Sequence, residues 1–244
     1  MPVKTVHNPH LDRTVKFGRK RSKPEHVANT PKLKDFVNAS KFTLPTPPAS
    51  VDYSGEARSA LSLIDLNDTL GDCVIASGYH VLGTVTGNAS GSSKAFVPTA
   101  AQLTADYSAI GGYVPGNPST DNGCDQQTAF RYWMANGFAN GVKPAGFLVV
   151  DPTNPTEMMT AMFLFENLVH DFELPDGWVS PFPSSNGFVW GMAGAPDPNN
   201  GHSIMSMDYC KDGVVIDTWG LLGLVPWDAE AEYGASGAGG ELYA

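Results

Sequence analysis

With 244 residues, 42% of them hydrophobic, the chain can build one domain of about 200 residues or two small ones around a sizeable core. No run of 18 apolar residues is present, which excludes a membrane-spanning helix, and Met1-Pro2-Val3-Lys4 opens onto no apolar segment of the kind a secretory signal requires. The net charge of −10 is divided unevenly: residues 1–41 hold ten Lys and Arg against three Asp and Glu, a net +7, and the remaining five basic and 22 acidic residues give −17.

Such a basic arm on an acidic body can lie against its own body, an acidic partner or nucleic acid. Nucleic acid is disfavoured, because aromatic residues do not interleave with the charges as base stacking would require. Residues 1–50 show little periodicity, and Pro24, Pro31, Pro45, Pro47 and Pro48 forbid long helices. They therefore predict an extended arm with one short turn at 33–37. Phe17, Val27, Leu33, Phe36, Val37, Phe42 and Leu44 are too apolar for a solvated tail, so the arm is expected to pack on the body or on a neighbouring chain.

A folded body is expected over 51–244, opening with a short strand at Val51-Asp52-Tyr53. An apolar helix follows from Cys73 through Leu82, then a Gly-, Ser- and Asn-rich loop at 87–93. The spacing of Leu103, Tyr107 and Ile110 predicts a helix over 99–110. The Gly-, Pro- and Asn-rich stretch 111–123 predicts a surface loop, and a helix over 125–136 is capped by Asp125 and stopped by Gly137. Next come a strand at 146–150, a helix at 154–165 with Pro155 in its first turn, and a strand at 168–172. Residues 175–201 read as a long loop carrying Trp178, Phe182, Phe188 and Trp190, one wall of a cleft. Two β-branched or apolar runs, 202–209 and 214–219, joined by Lys211-Asp212-Gly213, predict a hairpin, and Leu242-Tyr243 a last strand.

The chemistry centres on Leu66-Asn67-Asp68-Thr69-Leu70-Gly71-Asp72-Cys73, a tight turn that carries a cysteine onto the first turn of a helix. Gly71 frees the backbone and Asp72 is suited to cap the helix. A cysteine there feels the positive end of the helix dipole and the unpaired N–H groups, both of which favour thiolate. The base expected to partner it is His202, which follows Gly201 at the start of a buried strand. The hairpin could bring Asp217 near His202, where a carboxylate would orient the imidazole. His80, seven residues after Cys73, reads as a packing or supporting residue. Cys124 and Cys210 lack both a disulfide framework and zinc-ligand spacing, and are expected to be free thiols; no metal or cofactor is expected.

These three segments, in this order, resemble the papain-like cysteine peptidases. That family has a Gln six residues before its nucleophile, which lends an N–H to the oxyanion hole; Asn67 stands there in this chain. The family's glycine before the nucleophile resembles Gly71, its histidine strand begins like Gly201-His202, and its Asn-Ser-Trp-Gly is similar to Asp217-Thr218-Trp219-Gly220. The Gly-Asp-Cys turn and an Asp in third place also resemble bacteriocin-leader peptidases and other transglutaminase-like members. The whole chain looks most like papain-like proteins encoded by phages and actinobacteria, with an Asn-Asp-x-x-Gly-Asp-Cys turn and a Ser-Thr-Asp-x-Gly segment.

The resemblance implies an α+β, papain-like fold in which a cysteine-bearing helix packs on an antiparallel sheet carrying the His and Asp, with the N-terminal arm extended from it. It implies a cysteine hydrolase that cleaves a peptide or isopeptide bond of a peptide or protein substrate: Cys73 as nucleophile, His202 as base, Asp217 orienting it, Asn67 and the Cys73 N–H holding the oxyanion, and Trp219 shielding the His202–Asp217 bond from water. In that reading residues 1–50 could be a propeptide lying over the cleft. The rival expectation is an assembly protein that reuses the fold, for instance in a virion, with the arm lacing it to neighbouring subunits. Without a signal segment, the expected location is the cytoplasm or a virion.

Overall fold

The computed structural model describes residues 3–40, 44–90 and 94–244. The arm comes first: β1 (Lys4–Asn8), β2 (Arg13–Phe17), β3 (Arg19–Lys20), α1 (Pro24–Ala28) and α2 (Leu33–Ser40). The body then runs through β4 (Val51–Asp52), α3 (Arg58–Leu61), α4 (Cys73–Ser90), α5 (Ala100–Gly111), β5 (Cys124–Asp125) and α6 (Gln126–Asn136). Its second half contains α7 (Pro155–Phe165), β6 (Leu168–Pro175), α8 (Asp176–Val179), β7 (Phe188–Val189), β8 (Pro196–Cys210), β9 (Gly213–Thr218), β10 (Leu221–Pro226), α9 (Trp227–Tyr233) and β11 (Glu241–Tyr243).

The principal sheet has the order β11-β6-β8-β9-β10-β7, with β4 added to β8. All its pairings are antiparallel except the short β10–β7 contact. One large apolar cluster, including Phe172, Trp178, Ile204, Ile216 and Tyr233, lies against the sheet. A second cluster joins α4, α5 and α6 through Val74, Tyr79, Leu103, Tyr107 and Trp133. The molecule is thus the expected α+β arrangement, with the cysteine helix set between a helical half and a sheet half.

Local signals form where the sequence places them. Thr99 and Gln102 close a full capping box on α5, and Asp125 caps α6 by accepting from Thr128 N. Asn154 caps α7, with Pro155 at its start. Four segments differ from expectation. The arm is not extended: Lys4–Asn8 and Arg13–Phe17 form a hairpin in which Val15 and Phe17 are buried, and two short helices follow. The expected loop at 87–93 begins too early, because α4 continues to Ser90; residues 91–93 lie outside the described residues, as does Phe42. The strand expected at 146–150 is reduced to single bridges from Val149 to Lys32 and Tyr243. The presumed loop 175–201 contributes α8, β7 and the start of β8.

The charge asymmetry resolves within the molecule. Lys4 pairs with Asp197 at 3.2 Å, Lys16 with Asp121 at 2.7 Å and Arg21 with Glu173 at 2.5 Å. The basic arm lies on its own acidic body. Among the described residues, no helix is long and apolar enough to cross a membrane, and no group of three or more His, Cys, Asp or Glu is placed to hold a metal ion.

Candidate functional site

Leu66 to Asp72 turn tightly into α4. Thr69 N and Leu70 N bond to the Leu66 carbonyl, and Ile75 N and Ala76 N bond to the Asp72 carbonyl, so Cys73 opens the helix. The Asp72 side chain does not cap it as expected: its carboxyl is fully buried without a hydrogen-bond partner. Burial pushes its pKa well above the carboxylate range.

Cys73, His202, Ser77, His80, Asp217, Thr218 and Trp219 line one cavity of about 20 Å³, roughly the room one water occupies. Cysteine and histidine, 129 positions apart in the chain, therefore meet at one site. Both are closed off from solvent, Cys73 being 1% and His202 2% exposed. Burial pushes the Cys73 thiol up to about 12, only partly offset by the backbone amides of Ser203 and Gly18. Burial likewise pulls His202 down to about 3. In this state both groups are neutral.

The third position differs from the expectation. His202 Nε2 lies 2.9 Å from Thr218 Oγ1, while Asp217 Oδ2 lies 2.8 Å from His80 Nδ1. Strand parity explains the exchange. Asp217 pairs with Met205 across the β8–β9 ladder, which puts it on the face opposite His202; Thr218 and His202 share a face. His202 Nδ1 has no hydrogen-bond partner and is the ring nitrogen left for a proton transfer.

Asn67 is also committed elsewhere. Its Nδ2 donates to the carbonyls of Lys16 at 3.0 Å and Leu70 at 3.3 Å, and its Oδ1 accepts from Trp219 Nε1 at 3.0 Å. The amide expected to serve an oxyanion thus ties the arm, the cysteine turn and Trp219 together. The Trp219 ring stacks on the His202 imidazole at 4.8 Å between centroids, and the imidazole it covers is bonded to Thr218 and not to Asp217. Its left-handed backbone, φ 51°, belongs to the turn that ends β9. Gly71 donates its N–H to Asp121 Oδ1 at 2.9 Å.

His80 is more than packing. It lies between Asp217 and Asp65, whose Oδ2 is 3.2 Å from Nε2. Burial alone would lower its pKa, but the two carboxylates override this and raise it to about 10. The buried cation joins α4 to β9 and lines the cavity that Cys73 and His202 share.

Residues 16–19 of the arm close the site as a strap, a set of contacts that no local sequence signal announces. Lys16 N bonds to the Asn67 carbonyl at 3.1 Å, and Phe17 sets its ring edge-on to His202 at 5.9 Å. Gly18 O accepts from Cys124 N at 3.0 Å, and β3 pairs parallel with β5. The slot that holds this strap is walled by glycines. A Cβ on Gly18 would overlap the Gly71 carbonyl, one on Gly123 the Gly18 carbonyl, and one on Gly201 the Arg19 carbonyl. The walls come from the cysteine turn, the Cys124 strand and the histidine strand, so the slot is one extended backbone wide and crosses the Cys73–His202 pair.

Solved structures share this arrangement of elements. Xylellain, a cysteine protease from Xylella fastidiosa, superposes with a TM-score of 0.63 over 93% of this chain and 94% of its own, at 11% identity. The digestive procathepsin L2 proteinase of Tenebrio molitor gives 0.62 over 94% and 83% at 13% identity. The ragweed pollen cysteine protease Amb a 11, in its proform, gives 0.59 over 93% and 73% at 15% identity. The fold is papain-like. No protein-family model and no curated protein matches the sequence.

Proposed function

We propose that this chain is a papain-like cysteine hydrolase of peptide or protein substrates, held latent by residues 16–19. The observation that carries this reading is the glycine-walled slot, which admits an extended backbone and nothing wider, running across the place where a helix-N-terminal cysteine meets a buried histidine. In an opened site Cys73 attacks the carbonyl, and His202 Nδ1 takes the thiol proton and returns it to the leaving group. The Thr218 hydroxyl accepts from Nε2–H, which fixes the productive tautomer and supports the imidazolium. The Cys73 N–H at the start of α4 is the remaining oxyanion donor.

A second reading, a papain-like domain kept for its shape in an assembly, is favoured by the buried, neutral Cys73 and by the turning of Asp217 away from His202.

Limited proteolysis of the arm separates the two. Iodoacetamide at pH 6 is expected to leave Cys73 untouched in the intact protein and to modify it ahead of Cys124 and Cys210 once residues 13–21 are released. If Cys73 remains as slow as Cys124 after release, the hydrolase reading fails.

A further inference from the structure

The strap is anchored next to the nucleophile by one side chain. Arg19 follows Gly18, and its guanidinium is 1% exposed. Its Nε lies 3.3 Å from Asp171 Oδ2, one terminal nitrogen 2.6 Å from Glu241 Oε1, and the other donates to the Gly239 carbonyl at 2.8 Å. Two carboxylates and a carbonyl thus meet three edges of a planar fork, a geometry suited to guanidinium.

The receptor for that fork belongs to the body. Asp171 on β6 is completely buried and pairs across the ladder with Ser203, the residue after His202. Neither of its carboxylate oxygens has a hydrogen-bond partner, and the contact that neutralises it is the ion pair with Arg19. Glu241, on neighbouring β11, is held by Tyr243 Oη at 2.5 Å and Ser22 N at 2.8 Å. If the strap leaves, a buried carboxylate loses its cation, and such a group either protonates or recruits another positive charge. Any chain that replaces the strap in the slot delivers its side chains to the same walls.

We propose that Asp171 and Glu241 form a specificity subsite of the opened enzyme, one that takes an arginine or lysine side chain of the peptide substrate beside the residue seated against Cys73, with Arg19 as its resident stand-in. This rests on the hydrolase reading above and names the substrate class for it: peptides with a basic residue next to a glycine-sized one.

The test uses the full-length protein carrying Gly18→Ala with Arg19→Ala, in which the strap is lifted from the cysteine turn and the subsite is vacated, and two acyloxymethyl ketone probes, benzyloxycarbonyl-Arg-Gly and benzyloxycarbonyl-Leu-Gly. Both probes run opposite to the strap, whose Gly18 carbonyl is turned to Cys124 N, and so carry the basic residue on the amino side of the glycine. Cys73 labelling is followed by intact mass. The arginine probe is expected to react about tenfold faster or more, as a charge-assisted pair implies, and the ratio should fall towards one when Glu241→Gln is added. Equal rates for the two probes overturn the subsite but leave the hydrolase reading standing, since Cys73 still reacts. If neither probe reaches Cys73 while iodoacetamide modifies Cys210, the hydrolase reading falls and the subsite with it. Should this variant not fold, Gly18→Ala with Arg19→Met, which retains the apolar stem, is expected to give the same preference for the arginine probe, and equal rates there overturn the subsite in the same way.

Discussion

His202 and Thr218 are joined by a hydrogen bond of 2.9 Å on one face of the sheet, while Asp217, one residue earlier, faces the other way to His80. The carboxylate and the hydroxyl therefore have different duties. Thr218→Val removes the acceptor for Nε2–H and is expected to lower kcat/KM of the strap-released enzyme about fivefold, the worth of one ordinary hydrogen bond. Thr218→Ser should restore most of it. Asp217→Ala should instead act on stability, costing about 1–3 kcal/mol by stripping the buried His80 of the nearer of its two carboxylates and leaving it with Asp65. Rates for the Thr218 pair and urea unfolding for Asp217→Ala check this division. A rate loss confined to Asp217 would return the orienting role to the carboxylate.

The His80 cluster makes stability depend on alkaline pH. Its folded pKa, about 10, lies above its ordinary 6.5, so the folded state holds a proton that the unfolded state releases. The associated stability is fully present below about pH 6.5 and is lost as pH rises through about 10. Urea unfolding at pH 6.5 and pH 10 should therefore show a larger loss in the native protein than in the double variant His80→Gln, Asp217→Asn. Equal losses would mean that His80 is neutral in the fold.

Much of this architecture is legible in the sequence because its signals are local. Caps at Thr99, Asp125 and Asn154 and the apolar spacing that follows them fix α5, α6 and α7 almost to the residue. Cys73 and His202 are identifiable as well, each from its own few neighbours, and they line one cavity. The partner of His202 is not, since it depends on the β8–β9 register, and a change of one residue in register exchanges Asp217 for Thr218. The arm hairpin escapes a sequence reading for a related reason. Val15 and Phe17 alternate as strand residues do, but the arm's apolar residues are buried by docking onto distant segments, held by bonds such as that from Lys16 to Asn67. Arg19 looks like one basic residue among ten; only the fold brings Asp171 and Glu241 to it.

Gly18 offers the sharpest test of the strap. It is held so tightly that an added methyl overlaps the Gly71 carbonyl oxygen, carbon and Cα, all of them backbone atoms that cannot rotate aside. Gly18→Ala must therefore lift the strap from the cysteine turn, at a cost of about 1–3 kcal/mol as in other overpacked sites. Because the strap covers Cys73, lifting it rehydrates the thiol, whose pKa falls from about 12 toward its ordinary 9 as the burial penalty disappears. At pH 8 the thiolate fraction then rises by about a hundredfold or more, and iodoacetamide labelling of Cys73 should accelerate at least about tenfold, read by mass spectrometry of the cysteine peptides. Gly237→Ala is the control, since a Cβ there meets no atom within 4 Å; its labelling should match the native protein. If Gly18→Ala loses the expected stability yet Cys73 stays as protected as before, burial of the cysteine comes from the body itself and the strap is not its gate.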